Sequence, residues 1–223
     1  MMGNILQSCK HWLAMIVTEI LSSEGILKLI LEKTDIDINR KFCGDDYTLL
    51  LSAAKIGNEK VLKIILEKEE VLVNQADIYG ATPLIAAAYE GHVEVVKVLL
   101  EQDKINVNHT SNYGCTALLI AAGEGHVKIV EMLLKKEDIE LNVQDYDYGD
   151  TALLVAASMG HHHVVRMLLK EENIEVNLAN WAGDTPLLVA ADKRNGEVVN
   201  LLLGTEAIRA IGWNGWRPIA DAA

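Results

Sequence analysis

Apolar and polar positions follow one another along this chain in a helical pattern that restarts every 34 or 35 residues. A threonine opens each period, an alanine pair follows it, and a leucine comes near the end of the second apolar stretch. The five threonines are Thr48, Thr82, Thr116, Thr151 and Thr185. A fixed period of this length predicts stacked helical units that bury their apolar faces against one another, with no single central core.

Each period predicts a helix, a turn, a second helix and an extended finger. Threonine is a good N-cap, and Pro83 and Pro186 follow it in the first turn, where a missing donor costs nothing. Small alanines let the first helix lie close to the next unit, and a glycine such as Gly91 ends it in a left-handed conformation. The second helix, such as His92 to Glu101, has one apolar and one charged face. The fingers start at recurring asparagines: Asn74, Asn108, Asn142 and Asn177.

The segment Tyr79-Gly80-Ala81-Thr82-Pro83-Leu84 and the following Ala86-Ala87-Ala88-Tyr89-Glu90-Gly91-His92 resemble the ankyrin repeat. The resemblance covers residues 45–223, although leucine or isoleucine stands where the family often has histidine. It implies an all-α ankyrin-repeat solenoid of helix-turn-helix units with extended β-hairpin fingers, in a curved right-handed stack. It also implies a non-enzymatic protein-protein interaction module that binds a partner through its concave finger and first-helix surface.

The register of the repeat predicts three regions. Residues 1–43 form a degenerate N-terminal capping repeat with Trp12 to Leu21 as its first helix, residues 44–210 form five repeats, and residues 211–223 form a partial repeat or a cap. Arg194 replaces the helix-ending glycine of the fifth repeat. Since terminal repeats usually present a polar outer face, the apolar residues near 211–223 favour a fragment of a longer array over a makeshift cap.

Charge and cysteine content limit the expected partners and cellular compartment of the protein. A net charge of −12 opposes a phosphate-binding surface, so we expect no nucleic acid partner. Three cysteines without metal-ligand spacing fit a reducing, cytoplasmic compartment. The apolar run from Trp12 to Val17 is too short to span a membrane. Residues 2–8 resemble a myristoylation signal imperfectly, so N-terminal lipid anchoring is a minor expectation.

Candidate catalytic and metal-binding groups are weak. Consecutive residues on a helix point about 100° apart, so His161, His162 and His163 do not converge on one ion, and His161 is predicted to be a structural turn histidine. Asp145 and Asp147 are paired carboxylates in an exposed finger without a neighbouring base. The sequence therefore predicts no enzyme activity, no cofactor and no metal site.

The fingers at 74–81, 108–115, 142–150 and 177–184 combine aromatic and acidic residues and contain no Lys or Arg. Together with exposed positions of the first helices, they supply the candidate binding residues: Asp77, Tyr79, Tyr89, Tyr113, Asp145, Tyr146, Asp147, Tyr148, Asp150, Met159, Trp181 and Asp184. One interpretation is structural: the aromatics pack the turns and the aspartates bond their own backbone. The other is an aromatic, acidic groove for a basic or amphipathic segment of another protein.

The leading functional prediction is a monomeric, non-enzymatic module that binds another protein. One alternative is a recognition segment of a larger multidomain protein, such as an enzyme, an immune receptor or an injected bacterial effector. Another is an inhibitor that occludes the active face of a partner enzyme.

Overall fold

The computed structural model describes residues 23–33, 37–42 and 46–205. The helix predicted at Trp12 to Leu21 and the partial repeat predicted at 211–223 lie outside the described residues. So do the imperfect lipidation signal and two of the three cysteines, Cys9 and Cys43. The remaining one, Cys115, is of intermediate exposure.

The described residues form an all-helical chain in which, from Leu49 on, short helices follow one another in pairs. Its helices are α1 (Glu24–Lys33), α2 (Leu49–Ile56), α3 (Glu59–Leu66), α4 (Pro83–Glu90), α5 (Val93–Leu100), α6 (Ala117–Gly123), α7 (Val127–Leu134), α8 (Ala152–Met159), α9 (His162–Leu168), α10 (Pro186–Asp192) and α11 (Gly196–Leu203). Within the described ranges no strand is assigned, and Phe42 and Tyr47 form an isolated antiparallel bridge. The predicted all-α repeat solenoid is confirmed in its fold class.

The predicted caps fix where the first helix of a pair begins and ends. The hydroxyl oxygen of Thr48 accepts from the backbone N–H of Leu51 at 3.1 Å, and Thr151 accepts from Leu154 in the same way at 3.2 Å. Gly57 and Gly160 end their helices with φ values of 82° and 77°. Because glycine adopts a positive φ without the steric cost of a Cβ, it can turn the chain sharply toward the second helix.

Contacts group the chain into two compact units. Of the described residues, unit 1 holds those up to Ala117 together with Met132–Ile139, and unit 2 holds Leu118–Glu131 together with those from Glu140 to Thr205. In unit 1, α1 packs on α3, α2 on α3 and α4, and α5 on α3 and α4. In unit 2, α8 packs on α9 and α10, and α11 packs on α9 and α10.

The alanine pairs allow this close helix packing. Ala53 and Ala54 of α2 and Ala156 and Ala157 of α8 are fully buried. A larger side chain at these positions would push the neighbouring helix away, since protein interiors hold few voids. The sequence prediction is therefore confirmed for the first four alanine pairs, whereas in the fifth Ala190 is buried and Ala191 is exposed.

The recurring asparagines tie one repeat to the next. Asn142 donates from Nδ2 to the carbonyl oxygen of Asn173 at 2.8 Å, and its Oδ1 accepts from the N–H of Glu175 at 2.9 Å. One side chain thus satisfies a donor and an acceptor of the neighbouring loop. Asn39 and Asn74 make the same pair of bonds in unit 1, to residues 70 and 72 and to residues 104 and 106.

The residue after the helix-ending glycine also reaches back to the preceding repeat. The Nε2 atom of His161 lies 2.8 Å from the carbonyl oxygen of Gly123, and Nε2 of His92 lies 3.0 Å from that of Lys55. A Cβ atom added at Gly125 would lie 2.7 Å from the His161 ring, so this glycine is also required by close contact. The prediction that His161 is a structural turn histidine is confirmed.

Candidate functional site

Each finger is a turn held by one polar side chain at its start. Oδ1 of Asp77 accepts from the backbone N–H of Tyr79 at 2.9 Å and of Ala81 at 2.8 Å. A backbone bond from Asp77 N to Ala81 O, 3.1 Å long, closes the turn. A second backbone bond, from Gly80 N to Asp77 O at 3.1 Å, lies within the same turn. The extended hairpin expected for the finger is thus reduced to its turn, because neither bond belongs to a strand ladder.

The finger of Asp145 is built in the same way. Asp145 is buried, and its Oδ1 accepts from three successive backbone groups, those of Asp147, Tyr148 and Gly149, at 2.7 to 3.1 Å. The neutral side chains of Ser111 and Asn180 hold the two other fingers with equivalent bonds. The turn therefore needs a hydrogen-bond acceptor and not a negative charge.

The finger tips of unit 1 carry exposed apolar and aromatic side chains. Tyr79 and Tyr113 are about half exposed, and Ile78 is exposed beside Tyr79. The backbone N–H of Asn112 donates to the carbonyl oxygen of Tyr79 at 2.9 Å, and its Nδ2 donates to that of Ile78 at 2.8 Å. These bonds hold the two tips side by side, so their tyrosines belong to one continuous edge of unit 1.

Unit 2 has the more aromatic edge. Tyr146 and Asp147 are exposed, and Tyr148 is 69 % exposed. The N–H of Trp181 donates to the carbonyl oxygen of Tyr148 at 3.0 Å, which joins the two tips as in unit 1. Three aromatic side chains therefore lie on two adjacent tips, next to the carboxylate of Asp147.

Trp181 combines a packing role with exposure. A Cβ atom added at Gly149 would lie 2.5 Å from Cδ1 of Trp181, so the indole covers this glycine, although 62 % of Trp181 is exposed. Trp181 stands two residues before the next finger glycine, as does Asn112, which covers Gly80. Tyr113 stands only one residue before its glycine. Sequence reasoning grouped Trp181 with the tyrosines because all of them lie close to a finger glycine, and it missed this one-residue difference.

Two further carboxylates of unit 2 lie beside the tips. An oxygen of Asp150 accepts from Nδ2 of Asn180 at 2.9 Å, and Asp184 is exposed. Burial raises the pKa of Asp150 above its ordinary value; the hydrogen bond from Asn180 opposes this shift, and the charges of Asp145 and Asp184 add to it. The raised pKa of Asp150 is therefore caused first by burial of its carboxylate, and the two neighbouring carboxylates contribute less.

The first helices contribute exposed side chains at their C-terminal ends. Tyr89 and Met159 are more than half exposed, and Glu90 and Glu124 are exposed as well. Tyr89 with Glu90 belongs to unit 1, and Met159 with Glu124 belongs to unit 2. Each unit thus places one large side chain and one carboxylate at these helix ends.

Sequence reasoning missed one cationic group in unit 1. Nζ of Lys55 lies 3.0 Å from the hydroxyl oxygen of Tyr47 and 5.0 Å from the centre of its ring. The hydrogen bond to Tyr47 raises the pKa of Lys55, and the charges of Glu90 and Asp77 add to this effect. Lys55 stands seven residues after the threonine of its repeat, as Tyr89 does in the next repeat. This shared position could have identified Lys55 from the sequence. The Lys55–Tyr47 contact is an example, within the protein, of a cation held against a tyrosine ring.

The histidine cluster has separate roles for its members. His161 bonds to Gly123, whereas Nδ1 of His162 lies 2.9 Å from a carboxylate oxygen of Glu197. The ring centroids of His162 and His163 are 4.1 Å apart, so these two side chains lie close together although consecutive helical residues point about 100° apart. In the part of the chain that the structure describes, no group of three His, Cys, Asp or Glu side chains is placed to hold a metal ion.

None of the helices in the described ranges is both long enough and apolar enough to span a membrane. A search of curated proteins gave no match. A family model of ankyrin repeats matches in three copies, over residues 15–111, 70–145 and 141–212. Ankyrin repeats are generally protein–protein interaction modules, and proteins built from them typically act without catalysis. With matches that extend over most of its length, the chain belongs to the ankyrin repeat family.

Proposed function

We propose that this protein captures a basic segment of another protein on the finger tips of each unit and on the exposed ends of the first helices of that unit. The observation that carries the proposal is the pairing of exposed aromatic side chains with carboxylates on adjacent tips, most clearly Tyr146, Asp147 and Tyr148 in unit 2. The finger sequences contain no Lys or Arg that would repel such a partner.

The chemistry of these residues suits arginine and lysine. A cation over an exposed aromatic ring gains roughly 0.5–1 kcal/mol, and a guanidinium also bonds carboxylate oxygens in a forked geometry. Asp147 and Asp184 are exposed and can meet a partner directly. Asp77 and Asp145 each use one oxygen to hold their own turn, so they contribute negative potential and fix the positions of the tips.

A peptide library tests the proposal without a known partner. Random peptides displayed on phage are selected on the full-length protein, and the affinities of the selected peptides are measured for it and for a Tyr79→Ala/Tyr148→Ala variant. Both substitutions leave the finger backbone intact, since Asn112 and Trp181 bond to the carbonyl oxygens of these tyrosines. We expect the selected peptides to be rich in Arg and Lys and to bind this variant about tenfold more weakly.

A matched control removes basic side chains from the second helices, which are not part of the proposed binding surface. Lys97→Ala/Arg166→Ala alters one exposed residue of a second helix in each unit and should leave peptide affinity within about twofold. Selected peptides without basic residues would contradict the proposal. Equal weakening by the tyrosine pair and by the control pair would contradict it as well.

A further inference from the structure

The first helix of the last described repeat has an uncovered apolar face. Leu188 in α10 is 55 % exposed, whereas the side chains at the same register in the four preceding repeats are at most 5 % exposed. Those side chains are Leu51, Ile85, Leu119 and Leu154. Ala191 is exposed too, although the second alanine of every preceding pair is fully buried. This face is therefore shaped to receive one more helix.

The finger of the same repeat is also uncovered. Asn112 lies over Gly80 and Trp181 lies over Gly149, so the residue two places before one finger glycine covers the glycine of the preceding finger. At Gly183, by contrast, none of the described residues lies within 4 Å of an added Cβ. The place that a side chain fills over Gly80 and Gly149 is open at Gly183.

Residues 213–223 repeat the pattern of 181–191 at an offset of 32. Trp213 corresponds to Trp181, Gly215 to Gly183 and Pro218 to Pro186. The alanine pair Ala190-Ala191 recurs as Ala222-Ala223. The segment therefore contains both parts that the uncovered surface lacks, a residue for the open finger glycine and a helix start with a small-residue pair.

We propose that residues 213–223 dock on the uncovered face of α10 in the same chain, with the Trp213 indole over Gly183. In the preceding repeat, Pro186 is buried and Ala190 is fully buried where α10 packs on α8. Pro218 and Ala222 take the corresponding places against Leu188 and Ala191. Trp216 has the register of Asp184, which is exposed, so the proposed docking does not use the Trp216 side chain.

The connection favours this occupant over a second molecule. Nine residues, 204–212, join α11 to Trp213 and can span up to about 30 Å. A segment tethered by so short a linker has an effective concentration in the millimolar range, which a second copy in dilute solution does not reach. Docking covers Leu188, which is 55 % exposed without the segment.

Hydrogen exchange on the full chain tests the docking. The amides of α10 should exchange at least about tenfold faster in Trp213→Ala than in the unchanged protein, because the large side chain that anchors the segment is lost. Trp216→Ala is the matched control and should leave the exchange of α10 unchanged. Leu188→Lys should accelerate exchange like Trp213→Ala, and the double variant should exchange no faster than either single one.

Each of the other outcomes overturns the proposal. Equal exchange of α10 in the unchanged protein and in Trp213→Ala means that the segment does not cover this face. Additive effects of Leu188→Lys and Trp213→Ala mean that the two residues do not meet. Protection of α10 that rises with protein concentration means that a second copy is the occupant.

Discussion

Arg194 adopts a backbone conformation that glycine adopts at the equivalent place in the other repeats. Its φ is 60°, compared with 82° at Gly57 and 77° at Gly160. A Cβ atom would collide with a side chain of the next repeat at Gly57 and at Gly160, whereas the side chain of Arg194 is exposed. The position therefore accepts a side chain sterically but keeps the strain of a left-handed residue, about 1–2 kcal/mol.

Arg194→Gly should stabilise the protein. Relief of the left-handed strain exceeds the extra chain entropy of glycine in the unfolded state, so we expect the free energy of unfolding to rise by about 0.5–1 kcal/mol. Urea denaturation followed by circular dichroism measures the change. Arg194→Ala keeps the strain and removes only the long side chain, so it should remain close to the unchanged protein. An equal gain from both substitutions would show that the strain is not the cause.

At the residue scale, the sequence could not assign the aspartates. Asp145 and Asp147 are two residues apart in one finger, yet Asp145 is buried against its own backbone and Asp147 is exposed. Residue type alone does not separate these environments. The signal was present in Ser111 and Asn180, which stand at the place of Asp145 without a charge and identify it as a turn-forming position.

At the scale of the elements, the residue after the helix-ending turn links successive helix pairs. His161 does this with a ring nitrogen, and Asn195 does it with Nδ2, which lies 2.8 Å from the carbonyl oxygen of Ala157 and 2.9 Å from that of Ser158. Two different side chains thus satisfy the same end of the preceding first helix, where carbonyl oxygens lack partners within the helix.

His161→Asn should therefore be tolerated, whereas His161→Ala should not. We expect the asparagine variant to unfold within about 0.5 kcal/mol of the unchanged protein, and the alanine variant to lose about 1–2 kcal/mol with its hydrogen bond and its packing on Gly125. Thermal melting of the two variants side by side measures the difference. If both lose the same stability, the link between repeats does not depend on the hydrogen bond.

Helix positions were predictable because several independent signals agree at each one. The threonine cap, the alanine pair and the left-handed glycine all recur in register, so an error in one would conflict with the others. The fingers lack such redundancy. Their hairpin form was expected from the family resemblance, and the described fingers have turns without an assigned strand instead. Trp181 was grouped with the tyrosines although it stands two residues before its finger glycine, whereas each tyrosine stands one residue before.

At the scale of the whole molecule, the net charge of −12 governs encounters with a basic partner. The association rate constant for a selected Arg-rich peptide should fall by roughly tenfold as salt is raised from low to physiological ionic strength, because screening shortens the reach of the field. The dissociation rate constant should change much less. Stopped-flow fluorescence measures both rates. An association rate that ignores salt would show that the charge does not guide binding.

The repeat architecture could be predicted from the sequence because the same motif recurs five times at a nearly constant spacing. The partner was not, because the identity of a bound segment depends on exposed side chains whose fit is defined by a second molecule. The uncovered face of α10 illustrates the same limit. Leu188 is an ordinary core leucine in the repeat pattern, and only its exposure distinguishes it from Leu154.

The asparagine and histidine bonds between repeats have a consequence for biosynthesis. Each of them joins residues only 30 to 38 positions apart, as between Asn74 and Lys104 or His161 and Gly123. Closing such short loops costs little entropy, and low contact order favours fast folding. A nascent chain can therefore begin to fold as soon as two neighbouring repeats have left the ribosome, before more distant segments are translated.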